Sequence, residues 1–200
     1  MRKMMAVMPL VFVLVLMVGC AKPPQDSINA AMSALDAAKP LASQYATSSL
    51  QAAEDAQAAL NAELKAQQDK FALFRSYKKS DELVADLKAK ADKSAADAAA
   101  GQEQAKNDAT AAITAATTAL TDAKALLEKA PKGKGTAADL EAMKADLTAA
   151  ESTINEANAA MSSTNYKDAK AKADAAASSA ATVTSQVQAA IDVKKGGHKK

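Results

Sequence analysis

One thiol, one imidazole and a scatter of amines and carboxylates make up the reactive side chains of this sequence. Cys20 is the only cysteine and His198 the only histidine. A lone thiol closes no disulfide within the chain. Its setting is a basic start, Arg2-Lys3, then an apolar run from Met4 to Val18, then the small residue Gly19. That order is the pattern of a secretory signal peptide, and the apolar run is short for a mature membrane span. Three fates are open to the thiol: cleavage before it with modification of the new N-terminal cysteine, cleavage nearby that leaves it free, or an uncut N-terminal anchor. His198 lies in a Gly-Lys tail where no pocket forms around it, so it reads as a solvated residue and not a base or ligand. No Cys/His spacing suits a metal, and no cofactor is expected. Asp and Glu alternate with Lys at helical spacings of three and four, as surface ion pairs do. Catalysis needs convergent polar groups, so the sequence points away from an enzyme.

The segment Leu16-Met17-Val18-Gly19-Cys20 resembles the lipobox of bacterial lipoproteins, although Met17 stands where that family usually carries Leu. The resemblance implies that residues 1–19 are removed, that Cys20 becomes the first residue and that its thiol carries acyl chains, palmitate among them. Each buried CH₂ contributes about 0.8 kcal/mol, so several chains on one residue anchor firmly. Ala21 replaces the Asp that often retains such lipoproteins at the inner membrane. The expected location is therefore the outer membrane, facing the periplasm.

The elements that would carry this anchor are read from composition and period. The chain has 200 residues and 54 alanines, with only 3% aromatic residues and no Trp. Alanine is the best helix former but buries little area, which predicts long helices around a thin core. Nothing alternates over strand length. Lys and Arg number 25 and Asp and Glu 23, and removal of Arg2 and Lys3 makes them equal. A neutral chain lacks the basic surplus of a nucleic-acid binder.

In chain order, Pro23-Pro24 belong to a tether, residues 20–26, and Asp26 or Ser27 is expected to cap the first helix. Ile28, Ala31, Leu35 and Ala38 share its face. Pro40 predicts a kink or stop, with Tyr45 packing at the corner. Ser48 with Gln51 reads as a capping box. Leu50, Ala53, Gln57, Leu60 and Leu64 then form a heptad seam. Phe71, Phe74 and Tyr77 are expected to pack as a core or helix-corner cluster. Lys78-Lys79-Ser80 reads as a turn or as unbroken helix. The next helix seams through Leu83, Leu87, Ala91, Ala95 and Ala98. Gly101 and Asn107 weaken the helix without forcing a break, and Ile113, Ala116, Leu120, Ala123 and Leu127 continue. Pro131-Lys132-Gly133-Lys134-Gly135 is a loop, without the strand that a phosphate loop requires. Thr136 and Asp139 can cap the helix after it. Leu140, Met143, Leu147, Ala150, Ile154, Ala157 and Met161 make a gapless heptad run that packs within the bundle or pairs with another chain. Ser162–Asn165 is a turn. The final helix seams through Ala169, Ala173, Ala176, Val183, Val187 and Ile191, and Gly196 is expected to end it.

Two stretches repeat. Ile28, Ala31, Leu35, Ala38, Lys39 and Leu41 match Ile113, Ala116, Leu120, Ala123, Lys124 and Leu126, and Asp86–Asp92 matches Asp168–Asp174. The repeat predicts an all-α fold: an elongated antiparallel helical bundle of five to six long helices in two related three-helix units. The expected units are residues 27–106 and 107–193, followed by a basic tail, 194–200. Ile28 to Leu35, Tyr45, Leu50 to Leu64 and Tyr166-Lys167-Asp168-Ala169 resemble a family of alanine-rich bacterial lipoproteins classed as a domain of unknown function, whose helices stack somewhat like tetratricopeptide pairs. That resemblance implies an envelope location and a helical fold, and no activity. A weaker likeness is to the murein lipoproteins, short alanine-seamed helices that join peptidoglycan through a C-terminal lysine. It makes Lys199 and Lys200 candidate cell-wall contacts, though this chain is far longer and is interrupted at Pro40, Pro131 and Gly133. The bland reading of the tail is that its lysines complement a helix C-terminus.

The expected function is a non-enzymatic, lipid-anchored spacer or interaction scaffold of the cell envelope. Its partners would be the membrane through Cys20 and an envelope protein or peptidoglycan, with no nucleic acid and no small-molecule substrate. A periplasmic carrier or chaperone-like binder of a client protein or lipid is the alternative.

Overall fold

The computed structural model describes residues 22–130 and 137–197. Cys20 with the segment before it, the Pro131–Gly135 loop, Thr136, His198, Lys199 and Lys200 lie outside the described residues. What is described is all-helical: α1 (Gln25–Tyr45), α2 (Thr47–Gln68), a 3₁₀ turn at Ala72–Phe74, α3 (Lys78–Glu128), α4 (Ala137–Ser162) and α5 (Tyr166–Gly197). None of these helices is long and apolar enough to cross a membrane.

The chain divides into two compact units between Ala100 and Gly101, so α3 contributes to both. The expected boundary, after residue 106, falls on the same helix. In the first unit, α1, α2 and the start of α3 share a core of Ile28, Leu35, Ala42, Leu50, Leu60, Val84, Leu87 and their alanine neighbours. In the second, the rest of α3 packs with α4 and α5 around Leu120, Leu127, Leu147, Ile154, Val183, Val187 and alanines. A satellite of Ala109, Ala160 and Ala169 closes the α4–α5 turn.

The seams step alternately by three and four. Buried positions run 28, 31, 35, 38, 42 in α1 and 80, 84, 87, 91, 94, 98 in α3. In α5 they run 169, 173, 176, 180, 183, 187. This is the heptad step that keeps one face of a helix against its neighbours. It corrects two expectations: in α2 Ala56 is buried where Gln57 was expected, and in α3 Ala95 is exposed and Ser94 takes the seam position. A second step of four after Ala91 would carry the side chain off the buried stripe. Most equivalent positions of the repeat share their burial, although Ile28 is buried and Ile113 only half-buried. Ala31, Leu35 and Ala38 are buried, as are Ala116, Leu120 and Ala123.

Helix starts depart from the expected caps. α1 begins at Gln25 after Pro24, with no side-chain cap, and the Ile28 N–H donates to the Pro24 carbonyl at 3.0 Å. Asp26 instead sits inside the first turn, where a carboxylate meets the positive end of the helix dipole. α2 begins at Thr47 behind Ala46, ahead of the Ser48–Gln51 box, and Gln51 Nε2 donates to Asp55 Oδ1 at 3.0 Å. A one-residue joint at Ala46 leaves Ser48 already helical. Pro40 does not stop α1. It is exposed, so the one carbonyl that loses its amide donor faces water, which limits the loss. Tyr45, half-buried, is the last residue of the helix. α3 starts at Lys78 and runs unbroken through Gly101 and Asn107. α5 continues through Gly196 to Gly197. The turn at residues 163–165 is present, with Thr164 at φ 58° and the Asn165 N–H donating to Ala160 O at 2.9 Å.

The hydroxyls of Ser80 and Ser94 are fully buried without a hydrogen-bond partner. Ser94 occupies the position that Ala176 fills in the repeated segment. An unsatisfied buried hydroxyl costs about 1–3 kcal/mol, and Ala also has the higher helix propensity. Ser94→Ala is therefore expected to stabilise the protein by about 1 kcal/mol, read as an increased urea midpoint with unchanged m-value. A decrease would show that the hydroxyl is satisfied in solution.

Candidate functional site

Many of the described ionisable groups pair along exposed helix faces. Lys39–Asp36, Lys88–Asp92, Lys90–Asp86, Lys93–Asp97, Lys106–Glu103, Lys144–Glu141 and Lys170–Asp174 are three or four residues apart. Such exposed pairs are screened by water and each contributes little. Lys124–Glu151 and Lys172–Glu156 join helices of the second unit at 2.6 and 2.8 Å. In the first unit the Ser49 hydroxyl donates to Asp97, clamping α2 to α3. The Lys93 ammonium first, and then Ser49, hold the Asp97 carboxyl below its ordinary range. Among the described residues no group of His, Cys, Asp and Glu is arranged to hold a metal ion.

One polar cluster is built differently. At the end of α2, Gln67 is buried, and its Nε2 donates to Glu63 Oε1 at 2.7 Å. Gln67 Oε1 accepts from the Ser76 backbone N–H at 3.0 Å and from Lys70 Nζ at 3.2 Å. Glu63 also pairs with Lys79 of α3 at 2.9 Å. The Gln67 amide and then the Lys79 ammonium keep the Glu63 carboxyl below its ordinary pKa, against the opposing effect of burial. Arg75 folds back on the same turn, donating from Nε to Lys70 O at 3.0 Å and from Nη2 to Gln68 O at 2.8 Å. The helix-terminal carbonyls and the loop amide thereby find partners that a helix end otherwise lacks. The cluster is a brace: every polar group in it serves to hold residues 69–77 in one shape.

That brace presents Phe71, Leu73 and Phe74 to solvent, 69%, 67% and 75% exposed. The two phenyl rings lie 6.3 Å apart, tilted by 51°. Tyr77 alone of the expected aromatic cluster is buried. This overturns the reading of Phe71, Phe74 and Tyr77 as packed core. In phase they continue the α2 seam, but the chain leaves the helix after Gln68, so the phase no longer points inward. The available signal was the basic frame, Lys70 and Arg75, directly against the two phenylalanines. Of the anticipated sites, Cys20, Lys199 and Lys200 fall outside the described residues.

Comparison with known proteins returns no match, whether to family models, curated proteins or solved structures.

Proposed function

We propose that this chain is a lipid-anchored protein of the cell envelope, held by acyl chains on Cys20. It would act as a non-enzymatic structural spacer or interaction scaffold on the periplasmic face of the outer membrane. The observation that carries this reading is the use made of polar side chains. Among the described residues many pair along helix faces, and the cluster at the end of α2 braces an exposed apolar loop instead of lining a site. Helices of 21 to 32 residues, such as α1 and α5, are stiff rods about 30 to 50 Å long at 1.5 Å per residue. A rod fixed at a lipid presents its surface at a set height. The seams favour this over the carrier reading. Ala31, Ala53, Ala91, Ala173 and Ala180 are fully buried, and parting such close-set helices for a client would expose both faces together.

The reading is tested by Cys20→Ser followed by fractionation of cells and mass measurement. The expected result is a product without acyl mass that is lost from the membrane fraction. Unchanged amount and mass in the membranes would refute it. A pull-down from intact envelope, before and after peptidoglycan digestion, then tests whether Lys199 and Lys200 contact the cell wall.

A further inference from the structure

We infer that the braced loop, residues 69–79, is a membrane-contact element that seats Phe71, Leu73 and Phe74 in the interface of an anionic phospholipid bilayer. Three large apolar side chains within four residues, each more than two-thirds exposed, form a patch with no role in the fold's own core. The patch is not an accident of a loose loop, because the Gln67, Glu63 and Arg75 bonds hold its backbone at both ends.

Charge complementarity selects the occupant. Lys70, Arg75, Lys78 and Lys79 frame the patch, and Asp69 is the only carboxylate within residues 69–80. Lys79 is neutralised by Glu63. Lys70 is bonded to an amide oxygen, with the Glu63 carboxylate only in its field, and Arg75 is bonded to backbone carbonyls. Lys78 is exposed at the start of α3. Among the described residues none of the three forms an ion pair with a carboxylate. Phenylalanine and leucine beside lysine and arginine is the chemistry of an interfacial anchor: rings enter the acyl boundary while cations meet lipid phosphates. A protein partner would need an acidic rim around an aromatic pocket, whereas a bilayer supplies both layers at once.

The topology agrees. Ser49–Asp97 and Glu63–Lys79 set α2 antiparallel to the start of α3. α1 and α2 are 21 and 22 residues long, meet at the single residue Ala46 and share one core. The loop after α2 and the start of α1, a few residues after Cys20 in sequence, thus belong to the same unit. This inference rests on the proposed acyl anchor for the nearness of the bilayer, and its test reads the two separately.

The chain has no tryptophan, so Phe74→Trp places one reporter in the full-length acylated protein. The protein is reconstituted with vesicles of phosphatidylcholine alone or mixed with phosphatidylglycerol. Co-sedimentation reads the anchor; emission wavelength and quenching by brominated acyl chains read the loop. The expected result is blue-shifted, quenched emission with the anionic vesicles, reversed by salt. Adding Lys70→Gln and Lys78→Gln should lower the inserted-to-free ratio on the order of tenfold. Protein that sediments yet keeps unquenched, water-exposed emission overturns the loop proposal and leaves the anchor standing. Protein that fails to sediment with neutral vesicles, but is quenched by anionic ones, overturns the anchor and leaves the loop proposal standing. A blue shift without vesicles that grows with protein concentration assigns the patch to a second copy of the chain and overturns the proposal. Phe71→Trp gives the same readout should Phe74→Trp fail to fold.

Discussion

Leu87→Ala lowers the stability of the first helical unit by about 3 kcal/mol. Leu87 is fully buried and shares a core with Ile28 and Leu35 of α1, Leu60 of α2 and Val84 one turn earlier. The rest of that core is largely alanine, which has no side-chain torsion with which to move into a void. The cavity therefore persists, and the lost burial and the lost contacts both count. Against total stabilities of about 5–15 kcal/mol this is a large fraction. Urea unfolding followed by helical circular dichroism gives the number. Leu87→Met, which nearly conserves volume, should cost less than about 1.5 kcal/mol. A loss under about 1 kcal/mol for the alanine variant would mean that the helices close over the gap, and that the core is softer than its geometry implies.

The opposite substitution is as severe in the second unit. Ala173 is fully buried in the seam of α5, between Ala169 and Ala176. Helices that meet through alanine leave no space for three further heavy atoms at that position. Ala173→Leu must push the backbones apart, and because the neighbouring seam residues are also alanine, none can shrink in compensation. Overpacking of this kind costs about 1–3 kcal/mol or more. The matched control is Ala171→Leu, two residues away on the exposed face, which should stay within about 0.5 kcal/mol. The midpoint difference between the two variants in a thermal melt isolates close helix approach from helix propensity, since both introduce the same residue into the same helix. Equal melts would show that α5 does not approach its neighbours as closely as the burial of Ala173 requires.

The repeat carries over to structure at the level of seams: Leu87 and Ala91 of α3 are buried, as are the matching Ala169 and Ala173 of α5. Where seam residues are alanine, however, period alone cannot separate neighbours. The expected seam residue Ala95 is exposed, and the three-four alternation across α3 places Ser94 in the seam instead.

Helix content, the heptad faces and the turn at residues 162–165 were all legible from the sequence, because each depends on residues within a turn or two of one another. Alanine abundance forces helix, and apolar spacing names the inward face. What tertiary structure decided is where that phase stops mattering. Phe71 and Phe74 lie in register with Leu60, Leu64 and Gln67, and any reading of period sends them inward. Their exposure is set by Ser76 reaching Gln67 across nine residues, Arg75 reaching Gln68 across seven, and Lys79 reaching Glu63 from the next helix. Bonds of that reach follow no period, so they leave no trace in the spacing of residue types and exist only once the chain has turned.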